Sequence, residues 1–380
     1  MKEFIINKFI KIKLEDSQSV IYVAEKRFRQ CKFLMINISI ENVSLIEEIE
    51  SVDEAADKLD GTMEWFKDIR NKIDPETSFW AHCSNLQAWV EYNYDSRLIH
   101  RNLAFPLLKT LVDNGDQKAK KVFREEIAKR LESGYSGVVN YLINEKYINY
   151  LNREEMLFSL LKSEDAEAIM ELDAMFQEQL QWNLEPATSY PDCRPYSFLV
   201  ENRRVSALKM PGMDEFLFNT FPEVITRFTA LKKLSLNQNF INEEGIPKSI
   251  KNLKSLEELN LFGTSLTNFP SQICEITSLK EINFGFNRIQ SIPEEIRNLQ
   301  KLELLDLNSN LIKELPKSIG ELSSLKKIIL INNNKLDSLP ESIRDLVALK
   351  FINIDDALRQ KISRPLLNYL IKKNLIAKKQ

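Results

Sequence analysis

Between residues 231 and 354 the apolar positions of this chain fall into one recurring frame. Its clearest copy places Leu302, Leu305 and Leu307 at steps of three and two, then Asn310, Ile312, Leu315 and Pro316. The copy before it reads Leu279, Ile282, Phe284, Asn287, Ile289, Ile292 and Pro293. Before that stand Leu256, Leu259, Leu261, Thr264 in the asparagine slot, Leu266, Phe269 and Pro270. An earlier copy runs Leu231, Leu234, Leu236, Asn239, Ile241, Ile246 and Pro247. A later one runs Leu325, Ile328 and Leu330, has an extra residue among Asn332–Asn334, and closes on Leu336, Leu339 and Pro340. A last copy begins at Leu349, Ile352 and Ile354, so the steps between first leucines are 25, 23, 23, 23 and 24 residues.

Each part of the frame predicts a piece of structure. The alternation of the second and third leucines predicts a short strand with one face buried. After each Pro, an isoleucine follows three residues on (Ile225, Ile250, Ile273, Ile296, Ile319, Ile343) and another apolar residue three beyond it. That spacing is a helical or 3₁₀ turn, and Pro suits its first position because the N–H there lacks a partner anyway. A unit of strand, tight turn and helical return cannot bury its own apolar face, so the units must stack into a solenoid. Asn239, Asn287 and Asn310 then form an internal ladder whose amides satisfy backbone groups, and Thr264 is expected to weaken it locally.

These residues resemble the leucine-rich-repeat family in its intracellular 23-residue form, over about residues 205–360. The resemblance implies an α/β solenoid with parallel strands on a concave face and short helical returns on a convex face. Residues between the leucines point out of the sheet and are free of folding duty. They form three columns: Lys233, Glu258, Glu281, Leu304, Lys327 and Phe351; Ser235, Asn260, Asn283, Asp306, Ile329 and Asn353; Asn237, Phe262, Gly285, Asn308, Ile331 and Asp355. Phe286 follows the third column. The early units are polar and partly acidic, whereas the later ones put the apolar groups of Leu304, Ile329, Ile331 and Phe351 outward. Such a patch marks either a partner's docking site or a place that the chain's own other parts cover. The partner-binding residues expected on the concave face are Phe262, Phe286, Leu304, Asp306, Asn308, Ile329, Ile331, Phe351, Asn353 and Asp355.

Both ends of an array need caps. At the start, Val205, Leu208, Met210 and Met213 read as a degenerate first unit leading to Phe221-Pro222. At the end, residues 357–380 read as a helix past Pro365, with Leu366, Leu367, Leu370 and Ile371 toward the last repeat. This tail has seven basic residues and no acids. Contact with phosphate or membrane is one reading of that charge, and a capping helix with solvated lysines is the other.

The first half has a different texture. Residues 1–62 alternate in short runs (Phe4, Ile6; Phe9 to Leu14; Val20, Tyr22; Phe28, Phe33, Met35, Ile38) and predict a small β-meander broken at EDSQS and AEKR. Residues 63–182 turn helical: Val122, Phe123, Ile127 and Leu131 share a face closed by Gly134. Asn152 with Glu155 predicts a capping box, and Ile169, Leu172, Phe176 and Leu180 form another stripe. Helical hairpins, loosely like HEAT units, are expected here. Residues 183–204, with Pro186, Pro191 and Pro195, read as a linker to the array at 205–380. The stretch 79–134, beginning FWAHCSNLQAWVEYNYDSRLIH, resembles the N-terminal region of leucine-rich-repeat proteins of Asgard-archaeal type, which implies a recurring module but no activity.

Composition narrows the function classes. A net charge of −3 gives no global pull toward nucleic acid or anionic membrane. No apolar stretch approaches the roughly 18 residues of a membrane span, and lysines interrupt the N-terminus where a signal peptide needs an apolar core. The four cysteines (Cys31, Cys83, Cys193, Cys274) share no CxxC spacing and read as free thiols of a cytoplasmic protein. His82, Cys83 and His100 invite a nucleophilic or metal reading. Adjacent residues on a helix diverge, nothing completes a tetrad, and Trp80, Leu86 and Trp89 point to aromatic packing instead. No Gly-rich phosphate loop occurs, and no cofactor is expected. Three functions are weighed. The first is a monomeric, non-enzymatic module that binds a protein, with a small GTPase or its regulator preferred from the resemblance to Ras-group arrays. The second is a cysteine-dependent ubiquitin-type ligase, whose Cys-x-Asp motif neither Cys83-Ser84-Asn85 nor Cys193-Arg194-Pro195 matches. The third is a self-associating structural protein.

Overall fold

A computed structural model describes residues 2–29, 74–99, 101–134, 136–175, 183–184, 197–212 and 218–376. Phe33, Met35, Ile38, His100, Phe176, Leu180, Cys31, Cys193, the linker prolines and Met213 lie outside these. The chain divides into two compact units, residues 1–130 with 147–151, and residues 131–146 with 152–380.

The first unit opens with an antiparallel sheet of β1 (Lys2–Ile5), β2 (Ile10–Glu15), β3 (Gln18–Val23) and β4 (Lys26–Arg27), in that order. Its two tight turns fall at the expected breaks. Asp16-Ser17 and Ala24-Glu25 take positive φ (47° and 62°, 46° and 63°), the twist that two-residue hairpins require. Ile10, Ile12, Val20 and Val23 are buried. Helix α1 (Pro75–Glu91) starts where the Asp74 carboxylate accepts the Thr77 N–H at 2.9 Å. It buries Phe79, Cys83, Leu86 and Trp89, a stripe at helical spacing. Helices α2 (Arg101–Asp113) and α3 (Gln117–Glu132) follow. Phe105, Phe123 and Tyr147 meet edge to face with centroids 5.4–5.6 Å apart, which gives this unit an aromatic core.

The second unit begins with α4 (Ser136–Asn144), α5 (Arg153–Leu160) and α6 (Ser163–Met175). The predicted capping box starts α5: Asn152 Oδ1 accepts the Glu155 N–H at 2.8 Å, and the Glu155 carboxylate accepts the Asn152 N–H at 2.9 Å. A nine-stranded sheet then runs β5 (Asn183–Leu184), β6 (Ser197–Glu201), β7 (Arg204–Lys209), β8 (Lys233–Ser235), β9 (Glu258–Asn260), β10 (Glu281–Asn283), β11 (Leu304–Asp306), β12 (Lys327–Ile329) and β13 (Phe351–Asn353). All its pairs from β7 to β13 are parallel and in strict register, for example Leu305 beside Ile282 and Ile328. The three apolar positions of each strand region, except the half-buried Ile354 of the last, and the isoleucine of each return are buried, and they form one continuous core.

The returns are single 3₁₀ turns, such as Lys317–Glu321. Each Pro caps its turn instead of entering it. Its carbonyl accepts the N–H of the isoleucine three residues on, at 3.0–3.1 Å, with φ between −64° and −74° in all six.

Two regions differ from the sequence expectation. Within the expected linker, β6 and the start of β7 form an antiparallel hairpin through Asn202-Arg203 (φ 51° and 61°). The hairpin is fastened to α5 and α6. Asp165, fully buried, accepts the Val205 N–H at 2.7 Å and pairs with the Arg204 guanidinium at 2.9 Å. Arg203 Nη2 donates to the carbonyls of Phe158 and Leu161 at 3.2 and 3.1 Å. These helices therefore close the start of the array. At the other end the single expected helix is two, α7 (Asp356–Lys361) and α8 (Arg364–Lys372), because Ile362 is extended and the Ser363 side chain caps α8. Leu366 and Leu370 are buried as expected, while Leu367 and Ile371 are half-buried. The Leu375 carbonyl accepts the Ile352 N–H at 2.7 Å, which occupies part of the last strand's edge.

Candidate functional site

The interior ladder sets the geometry of the outward face. Asn310 Nδ2 donates to Leu307 O in its own repeat and to Phe284 O one repeat back, at 3.0 and 2.9 Å. Its Oδ1 accepts the Ile289 N–H at 2.9 Å. Asn239, Asn287 and Asn333 repeat the arrangement. Asn333 is therefore the ladder residue of the copy that carries the insertion. Thr264 Oγ1 lies 3.0 Å from Leu261 O and 2.9 Å from Asn287 Oδ1, and its one proton serves one of them at a time. Its hydroxyl cannot match the two donations of an amide, so the ladder is thinner at this step.

This scaffold turns the three outward columns into rows in register: Lys233, Glu258, Glu281, Leu304, Lys327 and Phe351 stand side by side on successive strands. Ser235, Asn260, Asn283, Asp306, Ile329 and Asn353 form the next row. Leu304, Ile329, Ile331 and Phe351 are each half-buried. Ile329 stands between Asp306 and Asn353, and Lys327 between Leu304 and Phe351, so polar groups border each apolar one.

Several of the expected residues also hold the turn. Asp306 Oδ1 accepts the Asn308 N–H at 3.0 Å and its side-chain amide at 2.7 Å. Asn260 and Asn283 likewise accept the Phe262 and Gly285 N–H groups at 3.0 and 3.1 Å. Asp355 is committed on both oxygens: it caps α7 by accepting the Leu358 N–H at 2.8 Å and takes the Asn332 N–H at 3.1 Å.

Phe262 and Phe286 come together, with ring centroids 4.8 Å apart and planes at 45°. Phe286 is 58% exposed. It occupies a slot that is left-handed in five successive repeats: Gln238, Gly263, Phe286, Ser309 and Asn332 have φ of 63°, 65°, 55°, 53° and 60°. Gly and Asn tolerate that conformation, but for an aromatic residue it costs on the order of 1 kcal/mol. Beside it, Gly285 lets the Asn308 amide and the Phe262 ring close over the backbone. A Cβ there would lie 2.4 Å from Asn308 Nδ2 and 3.2 Å from the Phe262 ring.

The charge on this part of the face is negative. Lys233 is paired with Glu258 at 2.6 Å. Burial first, and then the like charge of Glu258 beside it, push the Glu281 carboxyl above its ordinary range. Sequence reasoning wrote Glu258, Glu281 and Gly285 into the columns but did not select them, because periodicity says which way a residue points and not which neighbours share its space.

Residues 277–334 match the family described as leucine rich repeat. The C-terminal array is a leucine-rich-repeat solenoid. Among solved structures, a leucine-rich-repeat protein of Leptospira interrogans is 27% identical over 41% of this chain and 46% of that one, with a TM-score of 0.31. The ectodomain of the Arabidopsis thaliana receptor kinase GASSHO1/SCHENGEN3, in complex with Casparian strip integrity factor 2, is 28% identical over 41% and 19%, with a TM-score of 0.35. Listeria monocytogenes InlP is 20% identical over 50% and 55%, also at 0.35. The chain thus spans between 19% and 55% of the length of these three proteins. No curated protein matches this chain.

The chemically tempting stretch lies in the first unit. His82 Nδ1 is 2.9 Å from Ser19 Oγ, and burial lowers its pKa. Cys83 is a free, buried thiol that burial pushes up to about 11. A nucleophilic cysteine needs the opposite shift. Among the described residues no group of His, Cys, Asp and Glu could hold a metal ion, and no helix is long and apolar enough to cross a membrane.

Proposed function

We propose that this protein is a non-enzymatic recognition module that binds a protein partner on the outward face of its repeat sheet. One observation carries the reading. Phe262, Leu304, Ile329, Ile331 and Phe351 keep part of their apolar surface open, and Phe286 most of it, on a face that the core does not use. Asp306, Asn308 and Asn353 stand among them as the polar rim, with Asp355 at its end. A preformed surface of this kind lowers the ordering cost of association, and a few apolar anchors supply most of the affinity.

The partner class we favour is a small GTPase or its regulator, from the resemblance of the 23-residue frame to intracellular arrays of that type. The cytoplasmic setting rests on the free thiols of Cys83 and Cys274. Affinity capture from GTP-loaded lysate tests the partner class. The intact chain is expected to recover a GTPase that the Leu304→Asp, Ile329→Asp, Phe351→Asp variant does not. Equal recovery by both, or recovery by neither, removes the GTPase assignment. The up-shifted Cys83 thiol weighs against the ligase reading, and mass spectrometry is expected to find no thioester on it. Sedimentation at rising concentration distinguishes a partner face from self-association through the same strip, and one constant species is expected.

A further inference from the structure

We infer that the Phe262–Phe286 pair seats an arginine of a basic segment of the partner, laid along β10 between β9 and β11 so that further basic side chains meet Glu281 and Asp306. The inference rests on the recognition face proposed above and assigns the chemistry of what binds there. Its starting point is Phe286. In the equivalent slot the neighbouring repeats use Gly263, Ser309 and Asn332, side chains that suit a left-handed backbone or add little to it. Phe286 accepts the strain with its ring 58% exposed, so burial within the chain does not offset it. Strain held at an exposed side chain is characteristic of residues that act on another molecule. Phe262 stands against the ring, and Gly285 lets the Phe262 ring and the Asn308 amide close over its Cα, so the exposed part of Phe286 is a ring face supported from behind.

Charge selects the occupant. Glu258, Glu281 and Asp306 face outward on β9, β10 and β11, while Lys233 on β8 is already paired with Glu258. Burial does most to raise the Glu281 carboxyl and the like charge of Glu258 adds to it, and a cation placed there offsets both. An acidic or phosphorylated segment is repelled there. A guanidinium, planar and weakly hydrated, stacks on aromatic faces and pairs with carboxylates better than an ammonium does. Glu281 lies four residues before Gly285, roughly 13 Å along an extended chain. An extended segment following the strand thus carries its basic residues about four apart.

Random short peptides displayed on phage and selected on the intact chain test this. Enriched peptides are expected to carry arginine with a second basic residue about four positions away. Replacing that arginine by citrulline is expected to weaken binding about tenfold, and added salt is expected to weaken it further. Phe286→Ser is expected to lose about tenfold and Glu281→Gln several-fold, while Val347→Ser, an exposed position outside the outward columns, is expected to bind as the intact chain does. Because Ser309 already fills the equivalent slot, Phe286→Ser keeps the fold, and Phe286→Asn is expected to raise the melting midpoint while abolishing binding. Citrulline peptides that bind as well as arginine ones overturn the inference. Binding that survives Phe286→Ser but fails in Leu304→Asp overturns it while leaving the recognition face intact. No enrichment of basic peptides overturns it too, and the GTPase capture then judges the broader reading by itself.

Discussion

Asn308 and Asn310 lie two residues apart on one turn and live under different rules. Asn310 faces inward, is 3% exposed, and links the carbonyls of two repeats through one amide. Across the array its slot holds Asn239, Thr264, Asn287, Asn310 and Asn333. Asn308 faces outward, and its slot holds Asn237, Phe262, Gly285, Asn308, Ile331 and Asp355. The inner slot must supply two donors and an acceptor at fixed points, which only an asparagine amide does fully. The outer slot joins its neighbours through the backbone carbonyl, as in Phe286 N–H to Asn308 O at 2.9 Å, and only Asp355 adds a side-chain bond to the repeat before it. Its diversity is therefore free to serve a ligand, and departures from rule mean different things on the two sides.

The sharpest way to break the contrast is at the most committed inward group. Asp165→Ala strands the Arg204 guanidinium and the Val205 N–H in a buried site, and is expected to cost about 3–5 kcal/mol by urea denaturation. Asn310→Ala leaves Phe284 O, Leu307 O and the Ile289 N–H short of partners and is expected to cost about 3 kcal/mol in the same assay. Thr264→Asn restores the missing rung and is expected to stabilise by about 1 kcal/mol, seen as a higher melting midpoint.

A pH test comes next. Burial pushes the Glu243 carboxyl up, but hydrogen bonds from Thr267 and Asn268 outweigh it and hold the group at about 2. Its folded pKa lies below the unfolded value, so its contribution is present above about pH 4.5 and is lost as pH falls toward 2. Glu243→Gln is expected to flatten the acid dependence of stability in that window. The smallest effect belongs to the outer face: Leu304→Asp is expected to change stability by no more than about 0.5 kcal/mol. A loss beyond 2 kcal/mol would mean that this residue does folding work, and the contrast would fail.

The repeat was legible because its core residues recur in a fixed frame, so the sheet, the 3₁₀ returns and the asparagine ladder could be read from spacing. The opening cap was not. The β6–β7 hairpin occurs once, so no second copy reveals its frame, and the prolines nearby read as linker. Its bond to α6 runs through Asp165, a polar residue whose burial depends on partners some 40 residues away in sequence. For the candidate site, alternation gave the outward direction of nine of the ten expected residues, and Phe286 lies one position past it. That Asp355 caps α7 did not, nor did the left-handed backbone of Phe286, since both depend on the turn that follows the strand.

The strict register of β10, β11 and β12 has a consequence for how such a chain can change. Excising residues 279–301 would set Leu256's copy beside Leu302's, each meeting a neighbour of the same shape. The array is thus a cassette rack: units can be dealt in or out without solving the interior anew. Each exchange would alter the length and lettering of the face that meets other molecules, while the wall behind it stays the same.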